Sequence, residues 1–220
     1  MKKDIIICIG TVGSPTFDKC YSNIKRLQSI DSRIKKVCVI ENVKPQYAWL
    51  NHMITESQSN TWCLQVDEDM YLNDKAISTL LKIAAKKESH GIGVGLAHGM
   101  LWDLFLDQPV GSLKLWRSKI LRKFEFKDVL GSDRGVVEGI VKRGYKIAST
   151  SDILGEHDSA PTIEIAKKKY YEYIHKIRKF NGEEDAKKFI SFLKRNNKDQ
   201  SIISSAEQAM IESIVNKSKE

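Results

Sequence analysis

"QVDEDMYL", residues 65–72, sets three carboxylates, Asp67, Glu68 and Asp69, directly behind the apolar run Trp62, Cys63, Leu64 and Val66. Acidic residues are poor strand formers, so a strand that begins at Trp62 must end here. Two outcomes fit the stretch. It is a polar turn into solvent, with Asn73 and Asp74 capping the next helix, or it is a set of oxygen ligands facing a cation. If the backbone stays extended, positions i and i+2 share a face, so Asp67 and Asp69 converge while Glu68 points elsewhere. Two convergent carboxylates need a neutralising ion. A hard divalent ion, Mn²⁺ or Mg²⁺, suits such ligands and keeps positions open for phosphate oxygens.

Outward from the triplet the chain alternates between two periods. "DIIICIG" (4–10), "KKVCVIEN" (35–42), "TWCLQV" (61–66) and the Gly-rich "HGIGVGLA" (90–97) read as buried strands. Between them, "FDKCYSNIKRLQSI" (17–30), "PQYAWLNHMITESQ" (45–58) and "DKAISTLLKIAAKK" (74–87) carry apolar residues at helical spacing. Such alternation predicts βαβ units and a mostly parallel α/β sheet. Ligands of open parallel sheets bind beyond the carboxyl ends of the strands, where the acidic triplet lies. Residues 98–131 predict a hairpin or mixed-sheet region and a short helix from about Arg117. A further helix from about Asp133, a stop at Gly144 and a last strand follow. Everything beyond Pro161 predicts helix. The expected organisation is a main domain over 1–160 and a helical extension over 161–220 packed on it.

Composition sets wider bounds. The 220 residues suffice for one large core, and no apolar stretch approaches the roughly 20 residues that span a bilayer. The N-terminal apolar run, Ile5 to Ile9, is short for a signal peptide, so the protein is expected to be cytoplasmic. The four cysteines, Cys8, Cys20, Cys38 and Cys63, have neither metal nor redox spacing and predict buried, reduced thiols. A net charge of +8 favours an anionic partner. The basic stretch "AKKKYYEYIHKIRKF" (166–180) fits either a solvated helix face or peripheral contact with anionic lipid at the inner membrane face. No nucleic-acid recognition motif accompanies the charge, and no P-loop, H-E-x-x-H or G-x-S-x-G is present.

In order along the chain, "DIIICIGTVGSP", "KKVCVIEN", "QYAWLNHMITESQSNTWCLQVDED", "LKLWRSKIL", "LGSDRGVVEGIVKRGYKIA" and "LGEHD" resemble the strand, nucleotide-loop, A-x-x-N helix, D-x-D, acceptor and downstream His segments of family 2-like, GT-A-fold glycosyltransferases. The resemblance covers about residues 4–158 and implies a GT-A fold. It implies that Gly10, Thr11 and Gly13 line the nucleotide loop, that Glu41 and Asn42 lie near base and ribose, and that Asn51, Asp67 and Glu68 join the donor-binding set. Asp69 and His157, helped by Asp67, would hold the metal. Asp133 would be the general base, with Glu138 the rival because Ser132 stands where the family has an acidic residue before the base. Base recognition departs from the family, whose Asp-rich strand end is replaced by "ENVK" (41–44).

The activity implied is metal-dependent, inverting transfer of a sugar from a nucleoside-diphosphate sugar to the hydroxyl of a glycan, lipid-linked or other acceptor. Trp102, Phe105 and Trp116 would stack on an acceptor sugar or pack in the core. Alternatives are a nucleotidyltransferase, which releases pyrophosphate, and a non-catalytic or nucleic-acid-binding basic α/β protein.

Overall fold

A computed structural model describes residues 4–88, 93–128, 132–196 and 198–217. The first three residues of the expected strand over 90–97 and the end of the 98–131 region lie outside the described residues. The chain divides into two compact units, Met1–Asp158 and Ser159–Glu220.

The first unit runs β1 (Ile5–Thr11), α1 (Phe17–Ile30), β2 (Ile34–Glu41), α2 (Gln46–Glu56), β3 (Trp62–Asp67), β4 (Met70–Leu72), α3 (Ala76–Glu88), β5 (Val94–Asp103), β6 (Gln108–Arg117), α4 (Ser118–Leu121), α5 (Ser132–Lys142) and β7 (Lys146–His157). The strands form one sheet in the order β2-β1-β3-β6-β5-β7-β4. β1 is parallel to β2 and β3, and β7 is parallel to β5, whereas β6 is antiparallel to both β3 and β5. Five strands therefore share one direction and end at one edge.

Residue type explains the layering. All seven residues of β1 are buried, as expected of a central parallel strand covered on both faces. Alternate residues then supply two cores. Ile5, Ile7, Ile9, Leu64 and Val66 pack under α1 and α3. Ile6, Cys8, Cys63, Leu96 and Trp116 pack under α2, α4 and α5. Cys20, Ile24 and Leu27 of α1 are spaced to present one buried stripe. The cysteines are free thiols. For Cys8 the contact with Cys38 lowers the thiol, but contact with Cys63 and burial outweigh it and raise it; contact with Cys8, then burial, raises that of Cys38. The Cys8 and Cys63 sulfurs stand 3.8 Å apart.

The chain after the triplet departs from expectation. Glu68 and Asp69 form a tight turn, and Met70, Tyr71 and Leu72 make a short buried strand before α3. The extended geometry expected to converge Asp67 and Asp69 is therefore absent: the backbone reverses between them. Burial of three apolar side chains and pairing with β7 outweigh helix extension there. β4 joins the last three residues of β7, with Met70 opposite His157 and Leu72 opposite Gly155. Gly155 has φ +155°, and a Cβ on it would meet the Tyr71 carbonyl oxygen at 2.1 Å. Only glycine permits this approach.

The second unit holds α6 (Ile163–Asn181), α7 (Glu183–Arg195) and α8 (Gln200–Lys217). Thr162 caps α6, its hydroxyl accepting from Ile165 N at 3.2 Å. Tyr170, Ile174 and Ile177 of α6 are buried, and Tyr170 stacks on Phe189 of α7 with ring centroids 5.5 Å apart. Tyr173 and Phe180 of the same helix remain exposed. No described helix is long and apolar enough to cross a membrane.

Replacing Gly155 by Ala forces β4 and β7 apart. An expected loss of about 1–3 kcal/mol in urea unfolding, with weakened protection of the Asn73 amide, which donates to the Leu154 carbonyl at 2.9 Å, checks this contact.

Candidate active site

The carboxyl ends of β1, β2 and β3 open into a cleft of about 250 Å³. Gly10, Thr11 and Val12 line it from β1 and its following loop, and Val43 and Lys44 from the loop after β2. Gln46 and Trp49 line it from α2, and the triplet Asp67, Glu68 and Asp69 closes it. Gly10 is required by packing: a Cβ there would stand 2.7 Å from the Trp49 ring. Trp49 therefore lies on the end of β1 and forms a wall of the cleft. The lining carries three carboxylates against the single ammonium of Lys44. An anionic ligand enters such a place favourably only with a cation.

The three acidic side chains have different tasks. Glu68 accepts from the Thr11 hydroxyl, from Val12 N at 3.2 Å and from Ser14 N at 2.9 Å. It is the post on which the β1 loop is wound. Thr11 Oγ1 accepts from Gly13 N at 3.0 Å, and Gly13 adopts φ +86°, so the loop turns through a left-handed residue. Asp67 ends β3 opposite Gly10, and its carbonyl accepts from Cys20 Sγ at 3.6 Å. Burial, with the nearby carboxylates, pushes the Cys20 thiol up to about 12, which leaves it a protonated donor beneath the turn.

Asp69 is carried by the turn toward β7. Its Oδ1 is buried and no hydrogen bond reaches it, although His157 Nε2 stands 3.2 Å away. Two cis ligands of an octahedral ion at ~2.1 Å stand about 3 Å apart, so an orphaned carboxylate oxygen and an imidazole nitrogen at this spacing fit a divalent cation. Among the described residues, no group of three His, Cys, Asp or Glu side chains could hold a metal ion. The expected trio of Asp67, Asp69 and His157 is therefore not a preformed cage. Asp69 and His157 present two candidate ligand atoms, and Asp67 lines the cleft beside them. Sequence reading missed Asp103. This residue is 2% exposed, and its Oδ2 lies 2.8 Å from His157 Nδ1. On the other side, Asp158 N donates to the Asp69 carbonyl at 2.8 Å. The Tyr71 phenol, raised first by burial and then by the Asp158 carboxylate, is 3.4 Å from Asp158 Oδ2.

The remaining expected residues are dispersed. Glu41 and Asn42 are exposed at the end of β2; Asn42 N donates to the Thr11 carbonyl at 2.8 Å, with φ +57°. Asn51 faces Phe126, accepting from its N at 2.9 Å and donating to its carbonyl at 3.0 Å. Its amide clamps the segment after α4 onto α2. Asp133, in the first turn of α5, pairs with Lys114 Nζ at 2.7 Å. Lys114 is in register with Gln65, two residues before Asp67, so this pair and the cleft lie on the same face of the sheet. Glu138 pairs with Arg134 at 3.2 Å along the exposed side of α5. Trp116 is a core residue, donating from Nε1 to Gln65 Oε1 at 3.1 Å with its ring edge-on to Phe126. Trp102 and Phe105 are half-buried.

No protein-family model and no curated protein sequence matches the chain. Among solved structures, it is similar to a mannosyltransferase from Pyrobaculum calidifontis in complex with GDP-Man and Mn²⁺. That likeness has a TM-score of 0.55 and 11% identity, over 98% of this chain and 76% of the other. A 4-diphosphocytidyl-2C-methyl-D-erythritol synthase from Anaerococcus prevotii aligns with a TM-score of 0.51 and 10% identity, over 75% of this chain and 95% of the other. These likenesses establish a GT-A-like, Rossmann-type α/β fold.

Substituting Glu68 by Ala removes the three-donor anchor of the β1 loop. The expected cost is about 1–3 kcal/mol in urea unfolding, with accelerated hydrogen exchange at the Val12 and Ser14 amides.

Proposed function

We propose that this GT-A-like chain is a metal-dependent glycosyltransferase, moving a sugar from a nucleoside-diphosphate sugar to an acceptor hydroxyl with inversion. One observation carries the proposal: the buried, hydrogen-bond-free Asp69 Oδ1 facing His157 Nε2 at 3.2 Å, at the mouth of a cleft whose other walls are a glycine-bearing loop, Lys44 and Trp49. The likeness to a mannosyltransferase holding GDP-Man and Mn²⁺ supports the same donor class.

Asp69 and His157 would hold the ion, Mn²⁺ or Mg²⁺, leaving most of its positions to ligand and water oxygens. A divalent ion bound there supplies Lewis-acid stabilisation of the departing diphosphate. The chain's own groups do the rest. Gly10 lets Trp49 close over the end of β1, where a planar base or ribose finds an apolar wall. The amides of the 11–14 loop are held in place by Glu68. Lys44 adds a positive charge at the rim, and Asp67 faces donor hydroxyls. Asp133, aligned by Lys114, is the acceptor-side carboxylate and takes the hydroxyl proton as the new glycosidic bond forms. Glu138, paired with Arg134 along α5, is the weaker choice for this role.

A nucleotidyltransferase is the second reading, favoured by the likeness to the erythritol synthase. The product separates the two: a nucleoside diphosphate for sugar transfer, pyrophosphate for nucleotidyl transfer. GDP- and UDP-sugars are expected to raise Tm only with Mn²⁺ present, and Asp69→Ala should abolish the metal-dependent part. A donor-hydrolysis screen that releases pyrophosphate, or a thermal shift indifferent to Mn²⁺, would defeat the proposal. In the acceptor reaction, Asp133→Asn should lower kcat by about 10²–10⁴-fold with little change in donor KM. Circular dichroism would report whether loss of the Lys114 pair has disturbed α5.

A further inference from the structure

We infer that Asp103 is the positioning residue of the ion site: its carboxylate decides which nitrogen of His157 carries the proton, and so makes Nε2 a metal ligand rather than a donor to Asp69. The inference rests on the metal-dependent reading above.

Asp103 closes β5 and is 2% exposed. Its Oδ1 accepts from Phe105 N at 3.0 Å and Leu106 N at 2.8 Å. With two amides on one oxygen, the carboxylate meets His157 as an acceptor through Oδ2, 2.8 Å from Nδ1. Nδ1 must then be the donor. In the neutral ring this places the lone pair on Nε2, 3.2 Å from the Asp69 oxygen that no hydrogen bond reaches. Two acceptors face one another across that gap, and a cation satisfies both. Carboxylates behind metal-binding histidines act in this way, fixing tautomer and ring orientation.

The two amides on Asp103 belong to the turn between β5 and β6, and Leu104 N also donates to the His157 carbonyl at 3.0 Å. The hairpin turn and the ligand are therefore bound to one buried side chain. The two ligand atoms are oriented before any ion arrives.

Asp103→Asn tests the idea because it is isosteric. The amide oxygen keeps the bonds from Phe105 and Leu106, while the amide nitrogen must donate to Nδ1. That moves the ring proton to Nε2, where it blocks the ion and bonds Asp69. Mn²⁺ titrated into the 220-residue chain, followed by the electron paramagnetic resonance of the free ion, should show affinity falling about 10- to 100-fold in Asp103→Asn while Tm without metal is preserved. Nitrogen-15 NMR of the His157 ring, in metal-free protein at a pH that leaves it neutral, should show Nδ1–H in the wild type and Nε2–H in the variant. The wild-type spectrum needs no variant to fold, and Nε2–H there would overturn the inference. So would wild-type Mn²⁺ affinity in Asp103→Asn, the result expected of a merely structural hairpin brace. Failure of the wild-type chain to bind Mn²⁺ at all would instead remove the metal-dependent function, and the inference with it.

Discussion

The close crossing of β4 and the end of β7 is the contact on which the rest depends. A Cβ at Gly155 would overlap the Tyr71 carbonyl, so its absence lets the last residues of β7 lie against β4. Met70 then stands opposite His157, and Asp158 N reaches the Asp69 carbonyl. A histidine and an aspartate far apart in sequence thereby meet at the edge where β1, β2 and β3 end. The sheet supplies the platform, and this short antiparallel patch brings the two side chains together.

Within the triplet, stability and function are divided between neighbouring side chains. Glu68 is fully employed as an acceptor for the β1 loop, an arrangement that favours folding outright. Asp69 does the opposite. A buried carboxylate oxygen without a hydrogen bond is destabilising by itself. On the proposed function, a cation between it and the His157 imidazole would complete that interaction. Groups of this kind, costly in the free protein and satisfied by a ligand, mark functional sites.

The C-terminal unit follows a different logic. Tyr170, Ile174 and Ile177 of α6 are buried and Phe189 contacts both Tyr170 and Tyr173, while Tyr173 and Phe180 stay exposed. In α7 the charges obey the helix dipole, with Glu183, Glu184 and Asp185 in the first turn and Lys194 and Arg195 in the last.

By itself, the sequence determined the elements whose signal is local. The unbroken apolar run Ile5 to Ile9 identifies β1, the spacing of Cys20, Ile24 and Leu27 identifies α1, and carboxylates behind an apolar run mark where β3 must stop. The expected α/β sheet and the placement of Asp67, Glu68 and Asp69 at the carboxyl ends of its strands follow from such signals. Tertiary structure alone decided what the residues do there. A three-residue strand such as β4 has no period to detect, so the turn at Glu68 and Asp69 could not be told from continued extension. Asp103 looks like any acid in a hairpin until His157, 54 positions later, is folded against it. Trp49 reads as one more apolar helix residue until Gly10 is beneath it. Local propensity is written along the chain, whereas the partner of a buried charge is chosen by long-range packing, and no window of sequence contains both members.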